Sequence, residues 1–275
     1  MRLRGVFVAL LCGCSMSVGL RADSITVVSQ NTLHFGWGST NPDRTCDAKC
    51  QTKVTSLVAN IKLGDVTVMQ EIMPKAQSAL LTQGGCTTCG YAESQSYGTG
   101  FYKERYLFVI SDPKKVLPVG GVVECSATGA GCNFSRPPAA VKVQVASSTK
   151  SLVVVDFHAI WGRSQSLRIA EASHMPALVN ALSGTGNLPV VVGGDWNLTV
   201  NEIKSAAACP AVCAAPDGLT TLNPQGNPSS SYDHFYTKNV TGVSKAPAVI
   251  PANVGNSTWR SMVSDHLGVI AGFTY

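Results

Sequence analysis

The stretch LPVVVGGDWNLTV, residues 188–200, is a short apolar run that ends in two glycines and then in an acid and an amide two positions apart. A β-branched run of this length, bounded by turn-forming residues, reads as a buried strand. Glycines that let the chain turn tightly would expose Asp195 and Asn197 at the strand's end. The two-residue spacing can put both side chains on the same face of an extended segment, pointing into one pocket.

The same pattern recurs along the chain: SITVVSQN (24–31), DVTVMQE (65–71), YLFVIS (106–111), AVKVQVAS (140–147), SLVVVDFHA (151–159), SYDHFYT (231–237) and HLGVIAGFTY (266–275). Helical periodicity separates several of them, as in CQTKVTSLVANIKL (50–63) and SLRIAEASHMPALVNAL (166–182). These segments predict a soluble α/β layered fold, with sheets inside and helices outside. With 275 residues, 45% of them hydrophobic and 13% charged, the chain can bury a sizeable core and is neither disordered nor fibrous.

Residues 1–22 have Arg2 and Arg4, an apolar run from Gly5 to about Cys14 and small residues before Asp23, the pattern of a secretory signal peptide. A lipid-bearing Cys14 is the alternative, and cleavage near Ala22 is preferred. The expected product is a secreted or periplasmic single domain, residues 23–275, with no further membrane span. Arg21 also leaves with the signal, so the mature chain keeps 18 of the 21 basic residues against 16 acidic ones, a formal charge of +2. That mild excess admits a polyanionic substrate without arguing for one. The eight remaining cysteines fall into close pairs, Cys46 with Cys50, Cys86 with Cys89, Cys125 with Cys132 and Cys209 with Cys213, which read as local disulfide clips. Cys86 and Cys89 could instead be half of a zinc or redox site, but no second pair at suitable spacing completes one.

Polar residues capable of chemistry share one position in this pattern. Asn31, Glu71, His158, Asp195 with Asn197, and Asp265 with His266 each lie at or just past an apolar run. Strand ends at one edge of a sheet stack are where separate segments converge on a pocket. Any one of them alone reads as well as a turn residue or a helix-start charge. Their order (QN, QE, H, GDWN, YDH, SDH) resembles the endonuclease/exonuclease/phosphatase superfamily over almost the whole mature chain. Within it, YKERYLFVI (102–110), NTLHFG (31–36), CNFSRPPAAV (132–141) and the Cys125/Cys132 loop resemble deoxyribonuclease I.

That resemblance implies a four-layer α/β sandwich, two packed and mainly antiparallel β-sheets flanked by helices. It also implies a monomeric endonuclease that hydrolyses DNA phosphodiesters with Mg²⁺, or with Mn²⁺ or Ca²⁺ in its place. By resemblance Glu71, Asp265, Asn31 and Asp195 would face the metal, Asp195 and Asn197 the phosphate, and His158 with Glu104 and His266 with Asp233 would move protons. Tyr102 and Arg136 would contact the DNA sugar and phosphate. Phosphodiester hydrolysis asks for an in-line water, charge stabilisation and hard oxygen ligands, which is what this set offers.

The sequence also departs from that pattern. Met73 stands where an arginine follows the Gln-Glu motif, GTGF (98–101) lacks a second expected arginine, and a longer family disulfide has no counterpart. Rival readings are a phosphodiesterase or phosphatase acting on phospholipid or inositol phosphates, a toxin nuclease subunit, and a protein-binding scaffold. His34 and His174 read as structural or surface histidines, and the role of His234 stays open. NLT at 197 is one of four glycosylation sequons, and a sugar on Asn197 would be expected to block the pocket.

Overall fold

A computed structural model describes residues 23–275 apart from 42, 75, 77, 99–101, 163 and 206–211. The segment read as a signal peptide, with Cys14, and also Cys209 and part of GTGF therefore lie outside the described residues. The strands in chain order are β1 (Ser24–Phe35), β2 (Val66–Ile72), β3 (Gly90–Glu93), β4 (Arg105–Ile110), β5 (Val116–Pro118), β6 (Val123–Glu124), β7 (Ala139–Val145), β8 (Ser151–His158), β9 (Val190–Asp195), β10 (Val212–Ala214), β11 (Asp233–Lys238), β12 (Gly242–Val249) and β13 (Val269–Thr274). The α-helices are α1 (Ala48–Ile61), α2 (Ser78–Gln83), α3 (Gln165–Ala172), α4 (Met175–Ser183), α5 (Val200–Ser205) and α6 (Asn256–Met262).

Two sheets form, in the orders β12-β13-β1-β2-β4-β3 and β10-β11-β9-β8-β7-β5, with β6 pairing to β7. Each has one parallel pair near its centre, β1 with β2 and β8 with β9, and antiparallel pairs elsewhere. A parallel neighbour needs a crossover, and helices supply it, α1 between β1 and β2 and α3 with α4 between β8 and β9. The result is the expected sandwich. No helix among the described residues is long and apolar enough to cross a membrane.

The central strands read as unbroken apolar runs because both of their faces are buried. Val27, Val68, Tyr106, Val154, Val191, Phe235 and Phe273 meet between the sheets. Met69 and Leu107 face outward onto Leu57 of α1 and Trp259 of α6. On the far side Phe157 and Val192 pack with Leu178 of α4 and with Trp196. The two-residue strand period then fixes where the polar residues go. Asn31 continues the inward face of Val27 and Ser29, His158 that of Leu152, Val154 and Asp156, and Asp195 that of Val191 and Gly193. Glu104 precedes inward-facing Tyr106, and Asp233 precedes inward-facing Phe235. All five sit at the same open rim between the sheets.

One helical expectation is corrected. The pattern over 166–182 is two helices, α3 and α4, broken around Ser173 and His174. Pro176 in the first turn of α4 has no N–H to donate back, so the first helix cannot run through it. Cys46–Cys50, Cys86–Cys89 and Cys125–Cys132 are disulfides, as their spacing suggested. Cys213 is also disulfide-bonded, and Cys209, its expected partner, lies outside the described residues.

Candidate active site

A cavity of about 410 Å³ opens at this rim, lined by Glu71, Glu104, Asp195, Asp265, His158, His266, Arg136 and Tyr102 among others. Eight of the eleven residues singled out in the sequence thus line one cavity. The other three, Asn31, Asn197 and Asp233, are almost fully buried and act from behind it.

Strand pairing brings the centre together. Asp195 is the pairing partner of His158 on β8 and of Asp233 on β11. Nδ1 of His158 donates to Glu104 Oε1 at 2.9 Å, and Nδ1 of His266 donates to Asp233 Oδ2 at 2.9 Å. Each carboxylate therefore fixes its imidazole's tautomer and leaves Nε2 free to work. Both Nε2 atoms face the same oxygen, Asp195 Oδ2, at 3.6 Å from His158 and 3.4 Å from His266. Burial opposes the charge on both imidazoles, but Glu104 outweighs it for His158, and Asp233 with Asp195 for His266. The His158 pKa is raised and that of His266 is raised well above the ordinary value. Burial likewise opposes ionisation of Glu104, and the facing His158 and Arg136 still hold it below the usual carboxylate value.

Asn31 joins this centre to Glu71. Its Nδ2 donates to Glu71 Oε1 and to Asp195 Oδ2, both at 3.0 Å, while its Oδ1 accepts the Leu33 N–H at 3.0 Å. Asn31 is thus a spacer between two carboxylates, with its own oxygen already taken. Glu71 has φ of 60°, at a point where the pairing of β2 with β1 and β4 slips. The bulge is visible in the packing, since Met69 and Ile72, three residues apart, both face α1. An extra residue there turns Glu71 into the cleft, and a non-glycine residue at positive φ is a strain that functional sites often carry.

Asn197 differs from expectation. The strand ends at Asp195, Trp196 turns outward to pack 4.9 Å from Phe157, and Asn197 has φ of 49°. Strand alternation therefore does not reach it. Its N–H donates to Asp195 Oδ1 at 2.9 Å and its Nδ2 to the Ala159 carbonyl at 3.1 Å, so it holds Asp195 from behind. At 3% exposure it also cannot present a glycosylation sequon. Gly194 faces outward against β8, and a Cβ there would lie 2.0 Å from the Phe157 carbonyl oxygen. His234 also faces outward and donates from Nε2 to the Leu198 carbonyl at 2.9 Å, bracing the loop after Asp195. Burial lowers its pKa, which favours the neutral ring.

Arg136 lines the cavity, yet its Nε lies 2.8 Å from Glu104 Oε1 and donates to the His158 carbonyl, and Nη2 donates to the Ala159 carbonyl. Its first task is to brace the His158–Glu104 pair. The SDH loop is pinned as well, with Ser264 Oγ donating to the Asn31 carbonyl at 2.8 Å and the His266 carbonyl accepting from Trp259 Nε1 at 2.8 Å.

Four residues near this cavity were not legible as functional. His34, read as structural, lies with Nε2 3.2 Å from Glu71 Oε2, and its backbone N–H donates to the same oxygen at 3.0 Å. Its ring stacks on Trp37 at 4.8 Å, and Trp37 lies 5.3 Å from Tyr102, so three rings form one wall. Trp161, 77% exposed, also lines the cavity. Lys53, 6% exposed, donates to the Leu33 carbonyl at 2.7 Å; burial pushes its pKa down to about 7, with Glu71 pulling the other way. Only the NTLHF context, three residues past Asn31, could have signalled His34. Met73, in place of an expected arginine, is buried and lines the cavity.

The donor set suits a hard divalent cation on the Glu71 side. Glu71 and Asp265 both line the cavity, and Asp265 Oδ1 is buried without a hydrogen-bond partner. Among the described residues Asp195, Asp233 and His266 also cluster within 4.8 Å, but the His266–Asp233 hydrogen bond already accounts for that grouping.

The fold is that of the endonuclease/exonuclease/phosphatase superfamily. An endonuclease/exonuclease/phosphatase family protein from Bacteroides thetaiotaomicron superposes with a TM-score of 0.65 at 15% identity, covering 93% of this chain and 99% of that one. A mannosyl-6-phosphatase from the same organism gives 0.65 at 15% identity over 91% of this chain and 100% of its own. TDP2 from D. rerio, solved with a single-strand DNA product, gives 0.62 at 14% identity over 92% and 99%. No protein-family model matches the sequence, and no curated protein matches it.

Proposed function

We propose that this protein is an exported, divalent-cation-dependent hydrolase of phosphodiesters whose substrate is DNA, cut internally in the manner of deoxyribonuclease I. The observation that carries the reading is the pair of carboxylate-anchored histidines, His158 and His266, whose free Nε2 atoms flank Asp195 in one cavity. A phosphate entering there meets a proton donor and a proton acceptor on the same oxygen-lined floor, which is what in-line displacement at phosphorus needs. Glu71 and Asp265 would hold the cation, which when bound supplies positive charge against the phosphoryl oxygens.

The rest of the work falls to the chain. Asn31 keeps Glu71 and Asp195 apart and oriented, Asn197 fixes Asp195, and Arg136 keeps the Glu104–His158 pair aligned. Tyr102, 68% exposed in the ring wall, offers a face to sugar or base. The N-terminal sequence pattern supports the reading of export, and the disulfides fit an oxidising compartment. DNA is preferred over phospholipid or inositol phosphates because YKERYLFVI and the SRPPA segment resemble deoxyribonuclease I and because aromatic rings line the cavity wall.

The test is plasmid nicking by the oxidised mature protein with Mg²⁺, beside chelator and His266→Ala. Nicking lost in both controls supports the reading. A folded protein that hydrolyses 4-nitrophenyl phosphate or sphingomyelin but leaves plasmid intact would overturn the choice of DNA.

A further inference from the structure

A second cavity, of about 420 Å³, adjoins the first and shares Leu33 and His34 with it. Its walls come from the loop after β1, the first turns of α1 and the end of α6. They carry two cations, Lys49 and Arg260, and the buried amine of Lys53, against one acid, Asp47. Asp47 is already committed as the N-cap of α1, its Oδ1 accepting the Cys50 N–H at 2.8 Å. Lys53 spends one donor on the Leu33 carbonyl. Arg260 stands 4.0 Å from Asp265 Oδ2, beyond hydrogen-bond distance, and its Nε is buried without a hydrogen-bond partner. Trp37 lines the same cavity with its ring stacked on His34, so an aromatic face separates this basic chamber from the catalytic one. The Cys46–Cys50 disulfide clips the chain entering α1, holding the turn that carries Lys49 in place.

A basic chamber beside a phosphate-cleaving chamber, with stacked rings between, matches a stretch of nucleic-acid strand, in which two consecutive phosphates flank a nucleoside whose base can stack. Resting on the phosphodiesterase reading above, we infer that the cavity lined by Lys49, Lys53, Arg260 and Trp37 is a second phosphate subsite. It takes the phosphodiester neighbouring the scissile one, with the intervening base against Trp37 and His34. The subsite makes the enzyme prefer substrates with at least two phosphates, and it supplies basic contacts that Met73 and the GTGF segment do not.

The experiment compares the mature protein with Lys49→Glu/Ser261→Glu, two exposed positions on opposite walls of the chamber. Two substrates are used, an oligothymidylate and bis(4-nitrophenyl) phosphate, which has a single phosphate and cannot reach the second chamber. The expected result is a fall of about tenfold in the ratio of kcat/KM for oligothymidylate to that for the small diester. Binding of labelled oligothymidylate in chelator, followed by anisotropy, should weaken. The slope of log affinity against log salt should become shallower by about 0.7 per lost phosphate contact. An unchanged ratio with an unchanged salt slope overturns the subsite. If neither substrate is hydrolysed by the unaltered protein, the phosphodiesterase reading has failed, and the binding arm alone decides. Weaker binding with a shallower slope keeps the anion site, and identical curves reject it.

Discussion

Nε2 of His266 stands 3.4 Å from Asp195 Oδ2 while its Nδ1 is held by Asp233 at 2.9 Å, so one imidazole joins two carboxylates from neighbouring strands. Replacing His266 or His158 by alanine should lower kcat for nicking by about 10²–10⁴-fold, the usual contribution of a positioned proton-transfer group. Thermal unfolding should stay two-state and cooperative. A variant with either histidine removed and full nicking activity would rule out the mechanism.

Gln70 of β2 and Asp156 of β8 face each other across the two sheets just beneath the catalytic floor, Gln70 Nε2 donating to Asp156 Oδ1. Burial holds the Asp156 carboxyl well above its ordinary value of 3.8, with the Gln70 hydrogen bond only partly offsetting it. The folded state therefore binds this proton more tightly than the unfolded chain. Its stabilising effect is full below the ordinary carboxylate pKa and is lost as pH climbs from there through the raised folded value. Asp156→Asn cannot ionise, so its melting temperature relative to the unaltered protein should rise between pH 4 and pH 8. A difference that is flat or falls over that range would show that Asp156 is ionised in the fold.

His34 touches Glu71 Oε2 by both ring and backbone, and such partners of a metal-facing carboxylate orient it. His34→Ala should weaken Mg²⁺ or Mn²⁺ binding, measured by titration calorimetry, by about tenfold or more. Glu71→Gln should weaken it further and abolish nicking. Equal metal affinity in His34→Ala would leave His34 only its stacking with Trp37.

Gly194 is the tightest point behind the floor. A methyl group there meets the Phe157 carbonyl, so Gly194→Ala should destabilise the fold by about 1–3 kcal/mol, the range for overpacking a closed site. Urea unfolding would measure it, and a midpoint equal to that of the unaltered protein would mean that β8 and β9 can separate more easily than their pairing implies.

Much of this was legible because strands end in chemistry. SLVVVDFHA and LPVVVGGDWN announce buried strands by their β-branched runs, and the polar residues at their open ends, His158 and Asp195, line the cavity. Where the backbone leaves that regular path, strand alternation no longer says where a side chain points. Glu71 turns inward through a bulge, Leu33 and His34 both have positive φ, and Asn197 lies beyond the last extended residue. None of these has a two-residue signature. Lys53 and Arg260 occur in helices where a surface role is the default reading, and only the packing of α1 and α6 beside the loop after β1 brings them together. Arg136 was assigned to substrate from its neighbours, and its commitment to Glu104 and two carbonyls depends on the pairing of distant strands.

The alternation that aims five strand ends into one rim also sets which changes of chain length the protein can absorb. Removing a single residue inside β8 would leave the strand as long and as apolar as before, but His158 would rotate to the helical layer and the helix-facing Phe157 would swing into the cleft. Removing two would restore the face and draw the imidazole back by about 6.6 Å, out of reach of Asp195. Loops such as the one between β11 and β12 carry no such phase. The connections can therefore lengthen and shorten freely, whereas a one-residue insertion inside β8, β9 or β11 keeps this chemistry only if a bulge absorbs it, as one does beside Glu71.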